Sequence, residues 1–258
     1  MRFPELIDSH CHLDDAAFDP DRQEVIQRAQ AAGVHKMVVP AYSPSFWPRL
    51  QQLCAQNTML YPAYGVHPLY LNACASGWLD ALPVLLEQAV ALGEIGLDLS
   101  ENAPDHGAQV ACLKSQLQLA LALNLPVILH ARRTLEELIL ILRGFPGLRG
   151  VVHSFSGSLV QAQRLMDSGF YLGLGAAFTH PRALRLQATI RSLPLDRVLI
   201  ETDAPWQPGG SFRGQRNEPA FLVETVRALA HLREIPFPAL AERLTRNTLA
   251  FFRFQENA

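Results

Sequence analysis

Cysteine is scarce in this chain, and its four copies stand far apart: Cys11, Cys54, Cys74 and Cys112 are separated by 43, 20 and 38 residues. With no CxxC pair and no dense framework, a disulfide-stapled scaffold is not expected, and reduced thiols suit a cytoplasmic protein. No apolar run reaches the roughly 18 residues that a membrane span requires. The opening MRFPELIDSH has neither a long apolar core nor a small-residue cleavage site, so neither a secretory leader nor membrane association is expected. Charge of one sign is not in excess. Lys and Arg number 22 against 24 Asp and Glu, a net charge of −2, which argues against a large basic nucleic-acid face. A local patch or a metal site could still hold phosphates. GxGxxG and P-loop motifs are missing after every strand-like run, which leaves an open doubly wound nucleotide-binding sheet without support. Low-complexity segments and Ser/Pro-rich linkers are also lacking.

Apolar residues make up 49% of the chain and charged ones 18%, so it buries a sizeable core and is not disordered. Short β-rich runs recur at Leu6–Ser9, Lys36–Pro40, Leu60–Val66, Gly93–Leu97, Val127–His130, Gly150–His153, Tyr171–Gly175 and Val198–Thr202. Several are continuously apolar, as expected of parallel strands covered on both faces. Between them, helical periodicity marks Val110–Leu123, Leu135–Leu142, Ala220–Leu232 and Ala239–Phe252. Eight β-then-α units in 258 residues predict an α/β fold, a (β/α)8 TIM barrel. A single domain over residues 1–258 is expected, since such barrels take about 250 residues. The Gly209–Gly210 pair falls in a long loop after the last strand and reads as active-site wall.

The first strand ends in Asp8-Ser9-His10-Cys11-His12. Side chains alternate along an extended strand, so His10 and His12 share a face while Cys11 points to the opposite wall. Such a pair can grip one metal ion, although alone it also reads as two incidental polar residues. Glu94, His130, His153 and Asp203 then fall at or near the carboxyl ends of other strands. In a parallel barrel those ends converge on one face, where catalysis is normally built. Four imidazoles and two carboxylates in one volume would cost several kcal/mol each if buried unpartnered, and metal coordination satisfies them together. Six ligands exceed one tetrahedral zinc, so two divalent ions are the natural count. His10, His12, Glu94 and Asp203 are assigned to one ion, and Glu94, His130 and His153 to the other. This set points to hydrolysis by an activated water, with Asp203 as general base. Nitrogen and oxygen ligands admit zinc, magnesium, manganese or nickel.

The ordered set D-S-H-C-H-L-D, G-V-H-P, G-E-I-G-L-D, H-A-R, H-S-F-S-G, E-T-D-A-P and R-N-E-P, from Asp8 to Pro219, resembles the TatD family of metal-dependent hydrolases. The resemblance implies a TIM barrel of the wider amidohydrolase-like group with a two-metal site. For several members it also implies deoxyribonuclease activity, including 3′-to-5′ exonuclease action on DNA. It places His10, His12, Glu94, His130, His153 and Asp203 on the family's ligand positions. It puts His67 near the substrate, and Glu218 on the acidic residue of the R-N-E-P loop, to orient substrate or a loop arginine. Arg132, two residues past His130, can meet a phosphate oxygen through its fork of donors. Asp98 reads as a residue holding a ligand histidine or the loop. Arg213 and Arg216 form a cationic cluster beside the site, which suits phosphate but equally a solvated face. Leu99 stands where the family commonly has an aromatic residue and Gln215 where it has a lysine, departures that thin cation and stacking surface at the rim. Three readings stand: a phosphodiesterase acting on DNA or another nucleic acid, a hydrolase of a small ester, amide or lactone, and a barrel that only binds metal or a partner. No obligate protein partner is expected.

Overall fold

The computed structural model describes residues 5–254. Strands β1 (Leu6–Asp8), β2 (Val34–Pro40), β3 (Leu60–Tyr64), β4 (Ala91–Asp98), β5 (Val127–Arg132), β6 (Gly150–Val152), β7 (Tyr171–Leu174) and β8 (Val198–Ile200) form one sheet in sequence order. Every neighbouring pair is parallel. The sheet curls until its edges meet: the Ser9 backbone N–H and hydroxyl both donate to the Ile200 carbonyl, at 3.0 and 2.9 Å. Helices α1 (Arg22–Ala31), α2 (Trp47–Ala55), α3 (Trp78–Leu86), α4 (His106–Ala122), α5 (Leu135–Leu142), α6 (Leu159–Asp167), α7 (Leu184–Ser192), α8 (Leu222–Arg233) and α9 (Phe237–Phe252) surround it. This is the (β/α)8 barrel that the alternating pattern predicts.

The apolar runs are strands because both of their faces are covered, and β4 is buried at every residue. One apolar layer lies between strands and helices. A second fills the barrel, where Val38, Ala63, Ala91, Ile128, Val151 and Leu199 meet Phe251 and Phe252 from the end of α9. Burying each phenylalanine contributes about 1.5–3 kcal/mol. These two rings close the end of the barrel where the strands begin.

Helix starts follow local chemistry. The Asp105 carboxylate accepts from Ala108 N at 2.8 Å and starts α4 four residues before the periodic run at Val110. Ser158 and Gln161 form a reciprocal capping box on α6. Pro219 opens a short 3-10 turn, so α8 begins at Leu222 and not at Ala220. Several strands stop a residue or two earlier than expected. His10, His12, His67, His153 and Asp203 therefore sit just past their strand ends, where single backbone bonds such as His153 N to Leu129 O and Asp203 N to His10 O still hold them to the neighbouring strand. Among the described residues no helix is long and apolar enough to cross a membrane.

Candidate metal centre

Six residues predicted from the sequence meet at the carboxyl ends of the strands, and all but half-buried His130 are buried. The Glu94 carboxylate lies at their middle, with its oxygens facing two different groups. Its Oε2 is 3.3 Å from His10 Nε2 and 3.4 Å from His12 Nε2. Its Oε1 is 3.0 Å from His130 Nδ1 and 2.8 Å from His153 Nε2. Asp203 Oδ1 joins the first group, 3.6 and 3.4 Å from the same two imidazole nitrogens. Within each group the imidazoles almost touch, with His10 Nε2 and His12 Nε2 at 3.0 Å and His130 Nδ1 and His153 Nε2 at 3.1 Å. Cys11 points away into the core, as strand alternation requires.

The backbone permits this approach. Strand β4 lies so close to β5 that a Cβ on Gly96 would fall 2.0 Å from the His130 carbonyl oxygen, and Gly96 itself adopts φ 150°. Only glycine fits there. The tight contact between the two strands brings Glu94 and His130 together.

Groups around the imidazoles decide which nitrogen carries the proton. His12 Nδ1 lies 3.0 Å from the Pro40 carbonyl, which can only accept, so Nδ1 carries the hydrogen and Nε2 presents a lone pair inward. His130 Nε2 donates to Asp98 Oδ2 at 2.9 Å, which leaves Nδ1 as the inward lone pair. His153 Nδ1 faces Glu201 Oε1 at 3.6 Å, in the same sense at longer range. His67 is the reverse case. Its Nδ1 accepts the Leu69 N–H at 3.2 Å, so its Nε2–H is a donor aimed at Glu94 Oε1, 3.5 Å away. His10 Nδ1 is buried with no hydrogen-bond partner.

The donor set fits divalent cations. Imidazole lone pairs and carboxylate oxygens converge from two sides on the shared Glu94 carboxylate, and among the described residues no thiolate takes part. His10, His12 and Glu94 form one ligand-competent trio, and His10, His153 and Asp203 another. His67, Glu94 and His130 also lie within ligand reach of one another, but the His67 tautomer makes that residue a donor. Burial alone would raise the Glu94 pKa. The imidazoles of His153, His67 and His10 outweigh it and hold the carboxyl well below the usual range. Asp8 shows the opposite balance, since burial pushes its carboxyl up to about 8 despite the Thr202 hydroxyl that stabilises its anion.

Several participants escape a reading by ligand type. Asp8 accepts from His10 N at 3.2 Å, Thr202 N at 3.0 Å and Thr202 Oγ1 at 2.5 Å, clamping the end of β1 to the end of β8. Asp8 and Glu201 each stand two residues before a predicted ligand, and a period of two places them on the same face. That was the available signal. Gln207 Nε2 donates to Asp203 Oδ2, and Ser154 Oγ donates to Gln207 Oε1 at 3.0 Å. Nothing in the sequence marked this pair.

A cavity of about 760 Å³ opens above the cluster, and its wall includes His67, Arg132, Arg133, Tyr70, Trp206 and Gln207. His67 and Arg132 thus both line this cavity. Glu218 does not reach it. Its carboxylate takes two Arg28 Nε contacts at 3.1 Å and one from Nη2 at 2.7 Å, so both oxygens are engaged by α1. The Arg213–Arg216 cluster also breaks up, because Arg216 grips Asp21 through bonds of 2.8 and 2.7 Å and lies 4.7 Å over the Phe18 ring. Leu99 and Gln215 do not themselves line the cavity.

The family model described as TatD-related DNase matches residues 7–253. The chain is 41% identical over 252 residues to the metal-dependent hydrolase YjjV of Escherichia coli, covering 96% of this chain and 97% of that one. It is 33% identical to the protein of Pantoea vagans named 3′-5′ ssDNA/RNA exonuclease TatD, covering 96% and 99%. The crystal structure of the Escherichia coli TatD homologue YjjV superposes with a TM-score of 0.92 at 40% identity, covering 97% of this chain and 98% of that one.

Proposed function

Since the chain belongs to the TatD family of metal-dependent hydrolases, we propose that it hydrolyses phosphodiester bonds in single-stranded nucleic acid, as a 3′-to-5′ exonuclease with two divalent ions. The observation that carries this reading is the divided Glu94 carboxylate, each oxygen facing its own pair of imidazole nitrogens. His10, His12, Asp203 and Glu94 would hold one ion, and Glu94, His130 and His153 the other. A bound pair of this kind acidifies water and stabilises charge on both the attacking and the leaving oxygen of a phosphoryl transfer.

The protein's own groups do the rest. Asp203 takes the proton of the attacking water at Oδ1, because the Gln207 amide occupies Oδ2. Against the effect of burial, the imidazoles of His12, His153 and His10 keep the carboxylate anionic, and the Gln207 N–H fixes its plane. The His67 Nε2–H and the Arg132 guanidinium donate to the non-bridging oxygens of the phosphate. As the new P–O bond forms, the P–O bond to the leaving sugar breaks, and the proton held on Asp203 passes to the departing oxygen. The relative named an ssDNA/RNA exonuclease supports the substrate.

The deciding experiment depletes the protein of metal and reloads it with zinc, manganese, nickel or magnesium. Each form is assayed on a single-stranded oligonucleotide, bis(p-nitrophenyl) phosphate and a simple carboxylic ester. Cleavage of the diester and stepwise shortening of the oligonucleotide from its 3′ end are expected. Ester or lactone hydrolysis with inert diesters would replace this reading by a carboxyl-ester hydrolase.

A further inference from the structure

The two walls of the main cavity differ in chemistry. One is aromatic. Tyr42 and Tyr70 stack with centroids 5.2 Å apart at 19°, and Trp206 meets Tyr42 edge-on at 5.6 Å and His12 at 5.1 Å. Tyr42 is buried beneath, whereas Trp206 stays 42% exposed. An indole left that open beside a reactive centre forgoes burial worth about 1.5–3 kcal/mol, and its position is fixed. The Trp206 backbone N–H donates to the Asp203 carbonyl at 2.9 Å, and its backbone carbonyl accepts from Asn217 Nδ2 at 2.7 Å. Asp203 and Gln207, near it in the chain, hold left-handed conformations at φ 56° and 52°. Such backbone costs of order 1–3 kcal/mol per residue and persists where its surroundings impose it. The loop is therefore held in the shape that presents Trp206 to the cavity.

The other wall is cationic. Arg132 and Arg133 line it, both exposed, and neither forms an ion pair among the described residues. On that side a second cavity of about 340 Å³ shares Arg133, His153, Ser154 and Ser156 with the first and continues to Glu136, Gly157 and Gln161, with the Glu136 carboxylate paired to Arg164 at 2.6 Å. The groove thus runs from an aromatic end, over the metal-competent cluster, to an extension lined by Arg133, hydroxyls and this neutralised carboxylate.

We propose that Trp206, with Tyr70, is a stacking subsite for the base of the terminal nucleotide, while Arg133, beside Arg132 at the scissile phosphate, holds the phosphates of the strand that remains. This deepens the proposed function and rests on it. Room for the rest of the strand lies on the arginine side, so the aromatic side receives the end that is removed. A π face accepts any base, so the subsite carries little sequence preference, and it requires an unpaired base.

The test compares two single-stranded oligonucleotides, one ending in a normal 3′ nucleotide and one in an abasic tetrahydrofuran residue, with kcat and KM measured for each. Trp206→Ala is expected to lower kcat/KM by about 10- to 100-fold on the normal end, mainly through KM, and by less than about twofold on the abasic end. Trp206→Phe should restore most of the loss. As a readout without turnover, the normal oligonucleotide should quench tryptophan emission of the metal-depleted wild type more than the abasic one, and Trp206→Phe should lose that difference, since Trp47 is buried and half-buried Trp78 packs against the core. Equal losses on both ends would show that Trp206 acts only by supporting Asp203 and would overturn the subsite, as would unchanged kinetics. A wild type inert on both oligonucleotides under every metal would bring down the phosphodiesterase reading itself, before any variant is compared.

Discussion

Asp203 and Asp98 are both carboxylates beside imidazoles, but they differ in what they face. Asp203 Oδ1 looks toward His10 and His12, so its replacement removes a proton acceptor along with one ligand oxygen. Asp203→Asn should keep most of the metal, held by the remaining donors, and lower turnover about 10²- to 10⁴-fold. Metal analysis beside kcat measurements checks this, and near-normal turnover would remove Asp203 as the base. Asp98 acts on the donor cluster through the His130 ring, accepting its Nε2–H. Losing such a partner typically weakens metal binding about 10- to 100-fold. Asp98→Ala should raise the zinc Kd by that factor in a chelator competition, and Asp98→Asn, which keeps an acceptor for the ring N–H, should raise it less. An unchanged Kd for Asp98→Ala would mean that His130 is oriented by other contacts.

At the scale of elements, helix α1 is tied to the loop between β8 and α8 by a chain of ion pairs, Arg216 to Asp21, Asp21 to Arg28 and Arg28 to Glu218. The Arg216 and Arg28 guanidiniums lower the Asp21 carboxyl to about 2, against an ordinary value near 3.8. A depressed folded pKa adds stability above the unfolded pKa, and that stability is lost as the pH falls through the folded one. Wild type should therefore exceed Asp21→Asn in urea midpoint at pH 6, with the gap closing as the pH drops from about 4 toward 2. A gap independent of pH would show that the carboxylate charge is not what holds the loop. These residues also show how far motif matching reaches. The R-N-E-P stretch is visible in the sequence, but whether its charges face substrate or a helix depends on α1. Helix α1 carries Arg28 190 residues from Glu218, and no local pattern links the two.

Over the whole molecule, a centre built from five separated segments couples metal binding to folding, because the unfolded chain cannot present those donors together. At a metal concentration 100 times Kd, binding adds about 2.7 kcal/mol. For a chain of this size that raises Tm by roughly 5–10 °C. Calorimetry with and without a chelator checks this. An unchanged Tm under saturating metal would mean that the donors do not act as one site.

The alternation of β-rich and helical runs determined the barrel by itself, since apolar runs covered on both faces have few other solutions. The positions of His10, His12, Glu94, His130, His153 and Asp203 at strand ends followed from the same pattern, because parallel strands send all their carboxyl ends to one face. Tertiary structure alone decided the finer matters: the tautomer that makes His67 a donor, the turning of Glu218 and Arg216 toward α1, and the exposure of Trp206. Each depends on a partner that is distant in the chain or on the course of an irregular loop. Hydrophobic periodicity encodes which face of a strand or helix is buried, and it carries no record of which polar groups then meet across the gap.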